Sequence, residues 1–295
     1  MQQYFENRDN KGLCDIGNNP VENCVFANER LDANWNPKLL SITNSTFAKM
    51  GFKGSNISQC NLSFCVFIDC YFKNAKVEQT KFIGCQFINC NFDSAFFSKC
   101  NFEYATFENC FIPYNQMKTN LPINKDNLRA SLCKNLEIQC LNLGDVTNYR
   151  EYLFEEKHAG ERHSIKKLFH KGDSYYKKYN FFDGICGLFS YTVSKLSQFL
   201  WGYGEKLYTL IRNIVLLICV FSIPYYLSSD KVLCSSIPIK GFWSALYLSA
   251  CSFFNISDVR IEGNFLNIVW LSENIFGVVF IGMFVTALFR RINKR

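Results

Sequence analysis

Three groups of residues in this 295-residue chain carry side chains suited to chemistry. There are fifteen cysteines; three histidines, His158, His163 and His170, lie close together; and Asp258, Arg260 and Glu273 are ionisable residues in or beside strongly apolar sequence. Zinc sites use paired, short ligand spacings. Seven cysteines (60, 65, 70, 85, 90, 100 and 110) are instead separated by multiples of five. That spacing marks one repeated packing position, at which cysteine serves as a small hydrophobe. The odd cysteine count and an N-terminal stretch without an apolar signal core argue against a disulfide framework and for a reducing compartment. Of the histidines, only His163 and His170 share a helix face, so solvated histidines beside basic residues are expected. No metal or cofactor is expected. Phosphate-binding glycine loops and nucleophile elbows do not occur, which makes an enzyme the least supported class.

The elements that position these residues begin with a repeat. From about residue 40 to 112 an apolar residue recurs every fifth position, from Ile42, Phe47 and Phe52 through to Phe102, Phe107 and Ile112. Two residues before each apolar residue stands a small side chain, except at Leu40 and Met50. Neither a helix nor a strand keeps such a period on one face. A square coil does, with four pentads per turn and both marked positions pointing inward. At about 4.8 Å per turn, fifteen pentads make a rod roughly 18 Å tall. An earlier run, Ile16, Val21, Phe26 and Leu31, has the same period one residue out of phase, so Asp32–Leu39 must absorb an extra residue.

The motif of small residue, Asn, then Phe or Leu, as in Cys90-Asn91-Phe92, Cys100-Asn101-Phe102 and Cys60-Asn61-Leu62, resembles the pentapeptide-repeat family. The resemblance implies a right-handed quadrilateral β-helix. Some members mimic DNA with an acidic rod. Here Ser41–Ile112 carries six Lys against five Asp or Glu, a net +1, so neither DNA mimicry nor a nucleic-acid partner is expected.

After Pro113 the period of five stops. Leu128, Leu132, Leu136 and Leu143 read as a helix ending at Gly144, and Asp145–Lys171 as further helix, with a possible break at Gly160. Lys157–Lys178 holds seven Lys or Arg against two acids. Phe181–Leu200 reads either as a helix lying at a lipid surface, with Trp201 and Tyr203 at headgroup depth, or as a helix packed on the soluble domain.

Two stretches are long enough to cross a bilayer: Leu207–Leu227, and Phe265–Phe289, whose one charge is Glu273. Between them Phe242–Phe254 is apolar but too short to cross. Lys and Arg cluster before the first span and after the second, which puts both termini in the cytoplasm. The order of span, short helix, polar stretch and span resembles the two-transmembrane pore domain of potassium-channel-like proteins. Ala245-Leu246-Tyr247-Leu248-Ser249 looks like the pore helix, and Ser272–Arg291 like the inner helix. Pentapeptide repeats joined to such a pore look like a known bacterial arrangement. The resemblance implies a homotetramer in the inner membrane, multi-pass, with the second spans lining the pore.

Asn255, Ile256, Ser257, Asp258, Val259 and Arg260 stand where potassium channels carry a filter with two glycines; here Ser257 and Val259 replace them. Without glycine a multi-carbonyl potassium cage is not expected. A ring of Asp258 carboxylates would favour cations, unless Arg260 pairs with it or favours anions. Glu273 either lines the pore or braces the filter. Gly277 and Gly282 serve as a gating hinge or as close-packing positions.

The expected fold class is therefore mixed: a β-helix at 1–114, a basic helical connector at 115–206, and a two-span pore domain with a re-entrant helix at 207–295. The expected function is a cation-permeable oligomeric channel gated through its cytoplasmic repeat domain by an unidentified partner or ligand. The alternative is a membrane-anchored interaction platform whose pore-like anchor does not conduct.

Overall fold

The computed structural model describes residues 9–10, 12–13, 16–17, 19–169, 174–228, 232–234, 241–256, 259–261 and 263–293. The chain divides into two compact units, 1–190 and 191–295.

The first unit begins as a β-solenoid of about four turns. Its strands are short because every fifth residue turns a corner. β1 (Asp9–Asn10) and β2 (Val21–Glu22) are followed by β3 (Cys24–Ala27), β4 (Ile42–Thr43), β5 (Thr46–Ala48) and β6 (Asn56–Ser58). β7 (Val66–Ile68), β8 (Lys76–Glu78), β9 (Gln86–Ile88), β10 (Phe96–Ser98) and β11 (Thr106–Glu108) complete it. Corner residues such as Asn44, Asn74, Asn89 and Asn109 take positive φ, a region that Asn enters more readily than most residues. Parallel pairing joins residues twenty apart, as in Phe47↔Phe67 and Phe67↔Phe87, so four pentads make each turn.

The first pair, Asp9 opposite Cys24, is offset by fifteen, and from Val21 the offset is twenty-one, with Val21 opposite Ile42 and Phe26 opposite Phe47. It returns to twenty by Lys38↔Ser58. The extra residue is taken up between these points, where a 3-10 turn spans Asp32–Asn34. The phase slip expected at Asp32–Leu39 is thus a real structural feature.

Both inward positions are buried along the whole repeat. Phe47, Phe67, Phe87 and Phe107 stack with ring centroids 4.7–4.9 Å apart, close to the spacing of the strands that carry them. The thiols fill the neighbouring column. Each donates to a carbonyl twenty-three residues earlier: Cys65 to Ile42, Cys70 to Phe47, Cys90 to Phe67 and Cys110 to Phe87. Burial pushes the Cys85 and Cys90 thiols well above their ordinary range, which leaves little reactive thiolate.

The last turn leaves strand edges that need partners. After the short α1 (Tyr114–Met117), α2 (Asp126–Asn142) and α3 (Val146–Phe169) cover them. The Asn135 amide matches the Phe107 backbone in both directions, accepting from its N–H at 2.8 Å and donating to its carbonyl at 3.1 Å. Gln139 accepts from Asn109 N–H, Asn120 from Cys100 N–H, and the Tyr152 hydroxyl donates to Ile112 O. Leu132, Leu136, Tyr149 and Tyr152 continue the phenylalanine core. α3 runs unbroken through Gly160, so the break expected there does not occur.

Partly buried ion pairs fix this helical cap. Asp126 receives Arg162 at 2.8 Å and Lys166 at 2.5 Å, and Glu155 receives Arg129 at 2.7 Å. Burial alone would raise both carboxyls, but these partners outweigh it and hold them below the usual range. Folded values below unfolded ones give stability that is present above about pH 4 and lost as pH falls through the folded values. We expect the hydrogen-exchange protection of α2 and α3, relative to the intrinsic rate at each pH, to fall on acidification before that of the central strands, with Asp126→Asn weakening the dependence.

The second unit contains the later part of α4 (Phe181–Trp201), then α5 (Leu207–Leu227), α6 (Phe242–Phe253) and α7 (Asn264–Asn293). α5 and α7 are long and apolar enough to cross a membrane. Their outer faces, including Ile211, Val215, Val220, Ile268, Ile275 and Val285, are exposed. Along α4, Phe182, Ile185, Phe189, Val193 and Leu196 form an exposed apolar stripe. On the opposite side, Gly184 and Gly187 sit so close to Leu168 and the Ser164 carbonyl of α3 that a side chain would collide.

Candidate functional site: the α5–α6–α7 core

The candidate site is built where α6 packs between α5 and α7. Glu273 of α7 is fully buried. Its Oε2 accepts from the Tyr225 hydroxyl of α5 at 2.7 Å, and its Oε1 lies 2.5 Å from the Ser249 hydroxyl of α6. Ser249 Oγ also lies 2.9 Å from the carbonyl of Ile218 on α5. Ala245, Leu248 and Leu266 pack with Tyr225 and exclude water from one side. One carboxyl thus ties all three helices together.

One turn further along α7, Gly277 faces the Phe253 carbonyl at the end of α6. An added Cβ would overlap that oxygen outright. Gly282 has open space around it. The two glycines therefore meet different surroundings: Gly277 permits a helix crossing, while an added Cβ at Gly282 would meet nothing among the described residues.

Asn255 and Ile256 close α6. Asn255 takes φ 54°, its N–H reaches Ser252 O, and Ile256 N–H reaches Cys251 O. This is a Schellman stop, with Asn in the left-handed position often filled by glycine. Ser257 and Asp258 lie outside the described residues. Val259 and Arg260 belong to β13 (Val259–Ile261), which pairs antiparallel with β12 (Val232–Cys234), Leu233 standing opposite Arg260. Val259–Ile261 is thus one strand of a two-stranded antiparallel ribbon.

A second contact network lies at the other end of the unit. Asn213, buried in α5, donates to the carbonyls of Phe199 and Leu200 at 2.7 and 2.9 Å, completing the last turn of α4. The Arg290 guanidinium, at the end of α7, stands over the Trp201 ring at 5.8 Å. The end of α4 is therefore held against both α5 and α7.

The structure brings Glu273 and Gly277 to one helix junction and leaves Gly282 apart. His163 lies instead in the first unit, its Nδ1 3.0 Å from the Tyr176 hydroxyl, and His170 is outside the described residues. Sequence reasoning missed Tyr225, Ser249 and Asn213. Asn213 carries a signal, being an amide next to Arg212 inside an otherwise apolar span; Tyr225 and Ser249 have none, because their partner is far along the chain. Among the described residues no group of three or more His, Cys, Asp or Glu could hold a metal ion.

Comparison with known families defines the class of the N-terminal part. A model of pentapeptide repeats matches residues 52–82 and 80–112 with eight copies. The solenoid is therefore a pentapeptide-repeat domain, followed by helices of which two are fit to cross a membrane. No curated protein matches the chain.

Proposed function

We propose that this chain is the subunit of an oligomeric ion channel, a homotetramer in the inner membrane with both termini cytoplasmic. In this reading α5 and α7 cross the bilayer, α6 re-enters it, and the α7 helices line the pore. The observation that carries it is the uncovered apolar surface of α5 and α7 around a core joined through a buried carboxyl. Lipid and neighbouring copies would cover such faces, and carboxyls inside spans are kept where function or assembly needs them.

Selection would rest on the stretch that follows α6. Asp258, repeated around the axis, would form a carboxylate ring admitting cations without the glycine-dependent carbonyl cage of potassium channels. Gating would run from the repeat domain through α4, whose end meets α7 at Trp201 and Arg290. The apolar stripe of α4 suits a lipid surface. A cytoplasmic protein or ligand engaging the solenoid would bias that contact.

Cation flux into vesicles containing the full chain tests the assignment of the ring. Asp258→Asn is expected to lower flux several-fold while leaving assembly unchanged. Flux that ignores the substitution would remove Asp258 from the permeation path. A silent wild-type protein that still recruits partners would favour the docking-platform function.

A further inference from the structure

The hydrogen-bond arithmetic around Glu273 assigns it a proton. Among the described residues, no cation stands against this carboxyl, in contrast to Asp126 and Glu155 in the first unit. From α5 it meets the Tyr225 hydroxyl, the one titratable group facing it among the described side chains; from α6 it meets Ser249. The side chains of Asp258 and Arg260 lie outside the described residues.

A serine hydroxyl has one proton to give. Ser249 Oγ lies at hydrogen-bond distance from two oxygens, Ile218 O at 2.9 Å and Glu273 Oε1 at 2.5 Å. The Ile218 carbonyl can only accept. When Ser249 donates to it, the contact with Oε1 is a hydrogen bond only if the carboxyl brings the proton itself. Two acceptors facing each other without a proton would repel, and a buried group left unsatisfied is costly.

We propose that Glu273 is a proton-binding site, held as a neutral carboxylic acid that donates to Ser249, which donates on to Ile218. Tyr225 donates to the other carboxyl oxygen. The Tyr225 and Ser249 protons then have one acceptor each, and a single bound proton connects α7 to α6 and α6 to α5. Removing that proton turns the Ser249 hydroxyl toward Oε1, releases Ile218, and leaves a charge supported by two hydroxyls alone. The bound proton acts as a latch on the α6 position. The count rests on geometry within one chain and does not depend on ion conduction.

Infrared spectroscopy of the full-length protein in lipid tests this directly. Ordinary Asp and Glu are ionised at neutral pH, so a protonated carboxyl stretch there marks an unusual acid. We expect one such band in the wild type, absent in Glu273→Gln, and shifted in Ser249→Ala and Tyr225→Phe. Gln keeps the shape and can still donate to Ser249 and accept from Tyr225. Should Glu273→Gln fail to fold, the shifts in the other two variants identify the band. A wild type without the band at neutral pH overturns the proposal. So does a band unmoved by all three substitutions.

Discussion

Replacing Phe87 with Ala should cost about 3–5 kcal/mol of stability in the solenoid, the range for truncating a fully buried phenylalanine. Phe87 stands mid-column, stacked on Phe67 and Phe107 at 4.9 Å each, with Phe82 and Phe92 edge-on at 5.6 and 5.4 Å. Phe67 and Phe107 lie on parallel strands, and Phe82 and Phe92 beside the parallel bridges at Lys81 and Asn91, so none of the four can collapse into the space. A coil of this kind is stabilised by contacts between successive turns, so a gap in the middle weakens both sides of it. The measurement is denaturant unfolding of the full chain, followed by circular dichroism. Phe96→Ala is the control, because that side chain is exposed on the outer surface and should change stability by about 0.5 kcal/mol or less. Equal effects from the two substitutions would contradict the inward column.

The second large effect belongs to the helix junction. Gly277→Ala places a methyl group on the Phe253 carbonyl, a backbone atom at the end of α6 that cannot rotate away. Relieving the overlap means separating α6 from α7, which also strains the bridge through Glu273. Overpacking of this sort typically costs about 1–3 kcal/mol. Gly282→Ala meets no atom within reach, and removing a helical glycine gains up to about 1 kcal/mol. Thermal unfolding in detergent should therefore move in opposite directions for the two variants. A Gly277→Ala protein as stable as wild type would show that α6 does not sit where it is described.

How much of this was legible beforehand depends on the range of the contacts involved. The coil could be read because its period is local: a large apolar residue every fifth position, and a small one two places before it. Even the phase slip near Asp32 showed, since one added residue displaces every later marker. The capping by Asn135, Gln139 and Asn120 could not be read, because nothing in an isolated Asn says that it will imitate a strand edge. The same holds for Glu273. Its presence in an apolar span signalled importance, but Tyr225 and Ser249 become its partners only through the packing of α5 and α6. Asn255 shows the same limit. Its type and place do not announce that its backbone ends α6 in the left-handed conformation.

The helices of the second unit support the proposed membrane location by more than hydropathy. A soluble helix would bury one stripe of its apolar side chains. α5 and α7 leave most of theirs uncovered while concentrating their polar groups, Asn213, Tyr225 and Glu273, on contacts within the unit. That is the distribution required where lipid replaces water as the outer solvent.

The proposed cation conduction is tested by recording current from the purified full-length protein in a planar bilayer, under asymmetric KCl and then with KCl facing NaCl. A cation-selective current that scarcely distinguishes sodium from potassium is the predicted result. A reversal potential that follows potassium in both conditions, or one that follows chloride, would contradict it.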